Sequence, residues 1–206
     1  MTQPKCHVSI DLETLSTSPA AVILAIGAVA VCEESGNSVS LYRVCSIDSQ
    51  KDRQIDPSTL AWWEKQPEEA RKVLTEAESP DATPLKDVLH ALTDWVGLLG
   101  RTHQVYAWGN GSSFDVAILE HAFKNISPFV PWDFRKVRDM RTLWDLCLRL
   151  GINPEVDRSG THHHALDDAR FQANIIIASL KAISEASAQM HTLTSGTIGI
   201  PMEETV

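Results

Sequence analysis

Three sets of side chains in the 206-residue sequence have types and spacings suited to chemistry. The first is Asp11 and Glu13, in a segment where Val8, Ile10 and Leu12 alternate with Ser9, Asp11 and Glu13. Strict alternation reads as a strand, so the two carboxylates leave the same face with Cα atoms ~6.5–7 Å apart. Side by side they repel unless one takes a proton or a cation stands between them, and a hard divalent ion is the natural partner for such oxygens. Solvated alternation is the ordinary alternative and, for this pair alone, the more frequent one.

The second set is Asn-Gly-Ser-Ser-Phe-Asp at 110–115, which follows a short apolar run. A strand running into a Gly-rich loop, with an acid at the head of the next helix, presents a carboxylate above a sheet edge. In isolation Asp115 reads more often as a first-turn acid offsetting the helix dipole. The third set is Thr-His-His-His-Ala-Leu-Asp-Asp-Ala-Arg at 161–170. Three adjacent histidines cannot all face one metal from a regular backbone, which argues against a zinc triad. Asp168 shares a helical face with Ala165 and Gln172, at spacings of three and four. His163 precedes it in a loop or first turn, where a neutral imidazole near pH 7 is suited to take a proton from water. A solvated turn and a helix-start acid are the alternatives there.

The elements that must position these residues follow from periodicity. Residues 7–12 read as a first strand, 22–32 as a second, nearly all-apolar strand containing Gly27, and 39–47 as a third. Their short links favour an antiparallel meander. A helix over 57–75, broken near Pro67, carries Trp62 and Trp63, and a helix over 84–99 keeps Val88, Leu89, Leu92, Trp95, Val96 and Leu99 on a 3.6-residue rhythm. A strand at 105–108, a helix at 114–124, a brief strand at 132–134 and a helix at 142–150 stopped at Gly151 come next. A loop over 152–164 then leads into a long helix over 165–185, with Ala169, Ala173, Ile176, Ile177 and Leu180 inward. Three strands followed by alternating helix and strand predict an α/β fold, a mixed sheet flanked by helices in a single domain over 1–186. The Ser-, Thr- and Gly-rich tail over 187–206 is expected to add little to the core.

Composition narrows the classes further. With 27 acidic and 18 basic residues the net charge is −9, which excludes a general nucleic-acid coat with a basic face. Apolar residues at 43% and charged residues at 22% describe a globular chain rather than a disordered one. The longest apolar run, 20–32, falls short of the ~20 residues of a membrane span. Residues 1–5 lack a charged lead into an apolar signal core, so export is not expected. Cys6, Cys32, Cys45 and Cys147 lie far apart with no C-x-x-C pair, as reduced thiols of a cytoplasmic protein would.

Taken together and in this order, the three sets resemble the DEDDh 3′–5′ exonucleases of the ribonuclease H-like fold, a family that includes polymerase proofreading subunits, ribonuclease T and oligoribonuclease. Asp11-x-Glu13 resembles its first motif, 110–115 its second and His163-x4-Asp168 its third, spanning residues 7 to about 180. A narrower likeness is carried by Asp-Leu-Glu-Thr-Leu at 11–15, Ile-Gly-Ala-Val at 26–29, Pro-Ser-Thr-Leu-Ala-Trp-Trp-Glu-Lys-Gln at 57–66 and Asp-Met-Arg-Thr-Leu at 139–143. These are similar to a bacterial and phage branch described as 3′–5′ exoribonuclease-like.

The resemblance implies two divalent cations, Mg²⁺ or Mn²⁺, held by Asp11, Glu13, Asp115 and Asp168 and set ~3.5–4 Å apart. It implies that a water gives its proton to His163 and attacks the terminal phosphate of single-stranded RNA or DNA with a free 3′ end, releasing a nucleoside 5′-monophosphate. His163 has the His-x4-Asp spacing, whereas His162 and His164 are one residue off. On the substrate side the resemblance implies Thr14 and Leu15 against the terminal nucleotide, Leu15 as a wedge, with Trp63, Phe114 and Arg141 as further contacts. Arg141 belongs to a local basic cluster with Arg135, Lys136 and Arg138, the best candidate for phosphate contacts. Adjacent tryptophans on a helix point ~100° apart, so one of Trp62 and Trp63 is expected in the core and the other partly exposed. A homodimer is among the assemblies implied. Two rival functions stay open: a nucleic-acid-binding module on the same fold without catalysis, and a metal phosphohydrolase acting on mononucleotides.

Overall fold

Strand β1 (Lys5–Thr14) forms where polar and apolar residues alternate, and β2 (Ile23–Cys32) where the sequence is apolar throughout. Both are inner strands of a five-stranded sheet in the order β3-β2-β1-β4-β5, in a computed structural model that describes residues 3–124, 126, 127 and 129–195. β1 and β2 are antiparallel, with Asp11 opposite Gly27 and Glu13 opposite Ala25, and β2 is antiparallel to β3 (Ser38–Val44). On its other side β1 runs parallel to β4 (Gln104–Gly109), which runs parallel to β5 (Val137–Asp139). The result is the α/β mixed sheet expected from the order of elements.

Helices cover both faces because both faces are apolar. They are α1 (Pro57–Trp63), α2 (Glu68–Glu78), α3 (Leu85–Gly100), α4 (Asp115–Lys124), α5 (Met140–Arg149) and α6 (Ala165–Ser195). On one face Val8, Ile10 and Leu12 pack against Val88, Leu89 and Leu92 of α3 and Ile118 and Leu119 of α4. On the other, Ala169 and Ala173 of α6 meet Val29 and Val31, and Ile175 and Ile176 meet Trp108 and Met140. The polar side chains of β1 therefore emerge beneath α6, which decides where the site lies.

Several sequence expectations are corrected. The brief strand expected at 132–134 is instead Val137–Asp139. Trp132 is buried edge-on to Phe123, ring centroids 6.1 Å apart, and donates its indole N–H to Glu120 at 3.2 Å. The interrupted helix over 57–75 is two helices, α1 and α2, and the third strand stops at Val44 before a 3₁₀ turn at Ile47–Ser49. Helix α6 continues past 185 to Ser195, so the first part of the expected tail is helical. The rest of that tail, 196–206, and the first two residues lie outside the described residues. All four cysteines are free, and among the described residues no helix is long and apolar enough to cross a membrane.

Candidate active site

Asp11 and Glu13 leave β1 on the face that α6 crosses, and Asp168 enters from the first turn of α6. One carboxylate oxygen from each of the three lies within 4.8 Å of the others. The approach is permitted by Gly27, the residue opposite Asp11: a Cβ there would stand 2.2 Å from the Ala165 carbonyl carbon and oxygen. Asp115, at the head of α4 and only 2% exposed, reaches the cluster from the end of β4. Its Oδ1 accepts the backbone N–H of Leu12 at 3.2 Å, between the two β1 acids. Asp11 is oriented by Gln172, one helical turn beyond Asp168, whose side-chain N–H donates to Oδ1 at 2.7 Å while its Oε1 accepts from Ser9.

The segment before α6 closes over Asp168. His163 adopts a left-handed φ of 59°, and its backbone N–H donates to Asp168 Oδ2 at 3.0 Å. The guanidinium of Arg158 pairs with Oδ1 of the same carboxylate. Gly160, at φ 89°, leaves the Thr161 N–H free to reach Asp167 Oδ2 at 2.9 Å; any Cβ at Gly160 would collide with Asp167.

Burial and mutual repulsion set the protonation of these acids. Burial is the larger cause for Asp11, with Asp115, Glu13 and Asp168 adding to it, and its carboxyl is pushed well above the usual range. Glu13 is pushed up to about 8, first by burial and then by Asp168 and Asp115. Burial raises Asp115 to about 7 against the pull of backbone N–H groups and Arg141. Burial also lowers the proton affinity of His163, so its imidazole is neutral at pH 7. Hard oxygen donors, clustered and mutually repelling, fit a divalent cation of the Mg²⁺ type.

The acids open onto a cavity of about 550 Å³, within the range of small-ligand sites. Thr14, Trp63, Phe114, Arg141 and His163 all line it, whereas His162 and His164 do not. His164 stacks on Tyr42 at 4.7 Å, and His162 is exposed. Leu15, the expected wedge, is buried among Val22, Leu24 and Trp63 and does not line the cavity. Trp63 is 1% exposed and donates its indole N–H to the Thr14 carbonyl at 2.9 Å, while Trp62 is 39% exposed, lines the cavity and sets an edge contact on His163 at 4.8 Å. The open aromatic face is thus that of Trp62.

The basic cluster divides. Lys136 and Arg138 lie over Tyr106 and Arg135 over Phe134, so Arg141 alone of the four lines the cavity. Its Nε donates to Asn110 Oδ1 at 3.1 Å. Gln172 and Arg158 had no assigned role in the sequence. Gln172 was signalled by its spacing of four from Asp168, whereas Arg158, in an aperiodic loop, had no signal.

Solved structures resemble the fold, and two of them are nucleases. Cell-death related nuclease 4 (CRN-4) superposes with a TM-score of 0.60 at 14% identity, over 87% of this chain and 65% of that one. A full-length 3′-exonuclease gives 0.51 at 14% identity, over 88% and 62%. The chain thus spans just under two thirds of the length of these structures. Among curated proteins none matches the sequence. Residues 6–180 match the 3′–5′ exoribonuclease Rv2179c-like domain, and across that span lie every acid of the cluster and His163. The chain belongs to the family of 3′–5′ exoribonuclease Rv2179c-like domains.

Proposed function

We propose that the 3′–5′ exonuclease activity implied by this family is exercised here on single-stranded RNA with a free 3′ end, releasing nucleoside 5′-monophosphates. The observation that carries the reading is the convergence of Asp11, Glu13, Asp115 and Asp168, with His163, on one cavity. The four acids would hold two divalent cations, Mg²⁺ or Mn²⁺, which when bound neutralise the carboxylates and stabilise charge on the reacting phosphate. Gln172 fixes Asp11, and the Leu12 N–H fixes Asp115, so both acids are oriented before any ligand arrives.

His163 enters neutral and accepts a proton from the attacking water at a ring nitrogen. The water oxygen forms a new bond to the terminal phosphorus, the bond from phosphorus to the O3′ of the penultimate nucleotide breaks, and that O3′ takes a proton from solvent. Trp62 offers its face to the terminal base, worth ~1–3 kcal/mol if stacked. Arg141, steadied by Asn110, offers a fixed positive charge to a phosphate. The preference for RNA over DNA rests on the family's description alone. The same reading places the domain in the reducing cytoplasm, in keeping with four free cysteines, and allows a homodimer, which sedimentation equilibrium tests.

The experiment is incubation with Mn²⁺ and single-stranded RNA or DNA labelled at the 5′ end. A ladder shortening from the 3′ end of RNA, slower on DNA and abolished by Asp11→Asn, is expected. Intact RNA with wild-type protein, or equal cleavage by Asp11→Asn, refutes the reading. Release of phosphate from mononucleotides with no ladder would mark the phosphohydrolase instead.

A further inference from the structure

Arg158 takes no part in the chemistry above, yet it occupies one of the cluster's carboxylates. Its guanidinium pairs with Asp168 Oδ1 and lies over the Phe171 ring, 4.8 Å from the centroid. The two side chains are 26% and 14% exposed, so this is a half-buried pair rather than a surface one. Of the four acids Asp168 alone is ion-paired among the described residues. Its Oδ2 accepts the His163 N–H, so both oxygens are taken up by the chain between 158 and 163.

The pair is also incompletely satisfied. Arg158 Nε is buried with no hydrogen-bond partner, although a buried guanidinium ordinarily uses its donors. A cation held by Asp168 and by stacking, with one donor idle, is poised to be given up when a better cation competes for the same oxygen. Among the described residues no other arginine or lysine forms an ion pair with the four acids: Arg170, nearby, bonds Asp167 at 3.0 Å, and Arg141, whose charge acts on Asp115 without pairing with it, bonds Asn110.

We propose that Arg158 is a resident counter-ion that competes with a divalent cation for Asp168, so that cation binding displaces its guanidinium from Oδ1. The inference rests on the cation-site reading given under the proposed function. Arg158 is a positioning residue: it holds the loop that carries His163 against Asp168 before the cation arrives, and it lowers cation affinity by the work of its own removal.

The test titrates the 206-residue chain with Mn²⁺ in the absence of RNA, by calorimetry and by electron paramagnetic resonance of free Mn²⁺, and records melting temperatures in EDTA and in saturating Mn²⁺. Arg158→Ala and Arg158→Gln are expected to bind Mn²⁺ about tenfold tighter than wild type, the worth of one charge-assisted hydrogen bond. Both are expected to melt below wild type in EDTA and level with it in Mn²⁺. Arg170→Ala, which removes an equal charge from a neighbouring acid, is expected to change Mn²⁺ affinity less than twofold. Unchanged affinity in both Arg158 variants, or an equal gain in Arg170→Ala, overturns the competition while leaving the cation site in place. Absence of Mn²⁺ binding by wild type and variants alike overturns the cation site itself, and the competition with it.

Discussion

Substituting Gly27 by alanine perturbs the site without touching any of its functional groups. The new Cβ would lie 2.2 Å from the carbonyl carbon and oxygen of Ala165 and 2.4 Å from the Leu166 nitrogen. Ordinary contact begins at 3.4 Å, so 3.4 − 2.2 = 1.2 Å of separation must be found, and all three neighbours are backbone atoms with no rotamer to escape into. β2 is hydrogen-bonded on both edges, to β1 and β3, whereas the start of α6 follows a loop, so α6 is the part that yields. Asp168 lies three residues beyond Ala165 on the same helix and moves with it, away from Asp11, which faces Gly27 across the β1–β2 pairing. A displacement of ~1 Å at a catalytic constellation costs roughly 10²-fold in rate, and overpacking of this kind costs ~1–3 kcal/mol of stability, roughly 2–12 °C in melting temperature for a chain of this size. The assay is the rate of RNA shortening in Mn²⁺ at a temperature where the variant is folded, alongside its thermal melt. Gly97→Ala, in a helix with nothing within 4 Å of the new Cβ, is the control and is expected to leave activity unchanged. A Gly27→Ala protein within threefold of wild-type rate would refute the role of this close approach in placing Asp168.

Glu13 titrates near 8 and Asp115 near 7, above their ordinary values of 4.5 and 3.8. The folded, cation-free protein then holds more protons than the unfolded chain between about pH 4 and 8, so its stability in EDTA is expected to fall as pH rises through that window. Saturating Mn²⁺ is expected to abolish this slope, and Mn²⁺ affinity to rise from pH 6 to 8 with proton release visible in calorimetry; a pH-independent affinity would contradict the raised values. Trp62→Ala is expected to weaken RNA binding by ~1–3 kcal/mol with little change in stability, whereas Trp63→Ala costs ~3–5 kcal/mol of stability in urea denaturation; the reverse pattern would reassign the stacking face. Gln172→Ala strips Asp11 of its donor and is expected to weaken Mn²⁺ binding ~10–100-fold, as loss of a residue behind a metal ligand does; unaltered binding would show that Asp11 needs no such support.

What the sequence made readable was whatever has a local period. Asp11 and Glu13 share a face because strands alternate, and Gln172 falls beside Asp168 because helices repeat every 3.6 residues. Pairings made across the chain were not readable. β5 is three residues long and exists only because Ala107–Gly109 of β4 offers it a parallel partner. Its sequence, Val-Arg-Asp, carries no strand signal of its own. The ~100° step between adjacent helical residues puts one tryptophan in the core and the other at the surface, but which is which depends on α1 docking the Trp63 indole against the Thr14 carbonyl, a contact 49 residues apart in sequence. Leu15 follows the irregularity in β1–β2 pairing between Glu13 and Thr14 and lies in the core, a placement that no local period signals. Arg158 lies in a segment with neither period nor motif, and only the folded loop brings it to Asp168.

The net charge of −9 and the four converging acids pose one electrostatic problem at two scales. Before any divalent cation arrives the cluster is kept tolerable by monovalent substitutes: protons, held by the raised affinities of Asp11, Glu13 and Asp115, and the guanidinium on Asp168. Each substitute neutralises one carboxylate, so the cluster can fold before a cation is bound, with Asp11, Asp115 and Asp168 already held by Gln172, the Leu12 N–H and the His163 N–H. On the proposed reading, divalent cations would replace both kinds of substitute, and four carboxylates against two such ions are formally neutral. A phosphodiester would then meet a neutral floor in a cavity that Arg141 also lines, while charges farther off are screened over ~8–10 Å. On the proposed reading, grip on RNA is local to one 3′ end and conditional on the cations, because a net charge of −9 does not draw a polyanion in.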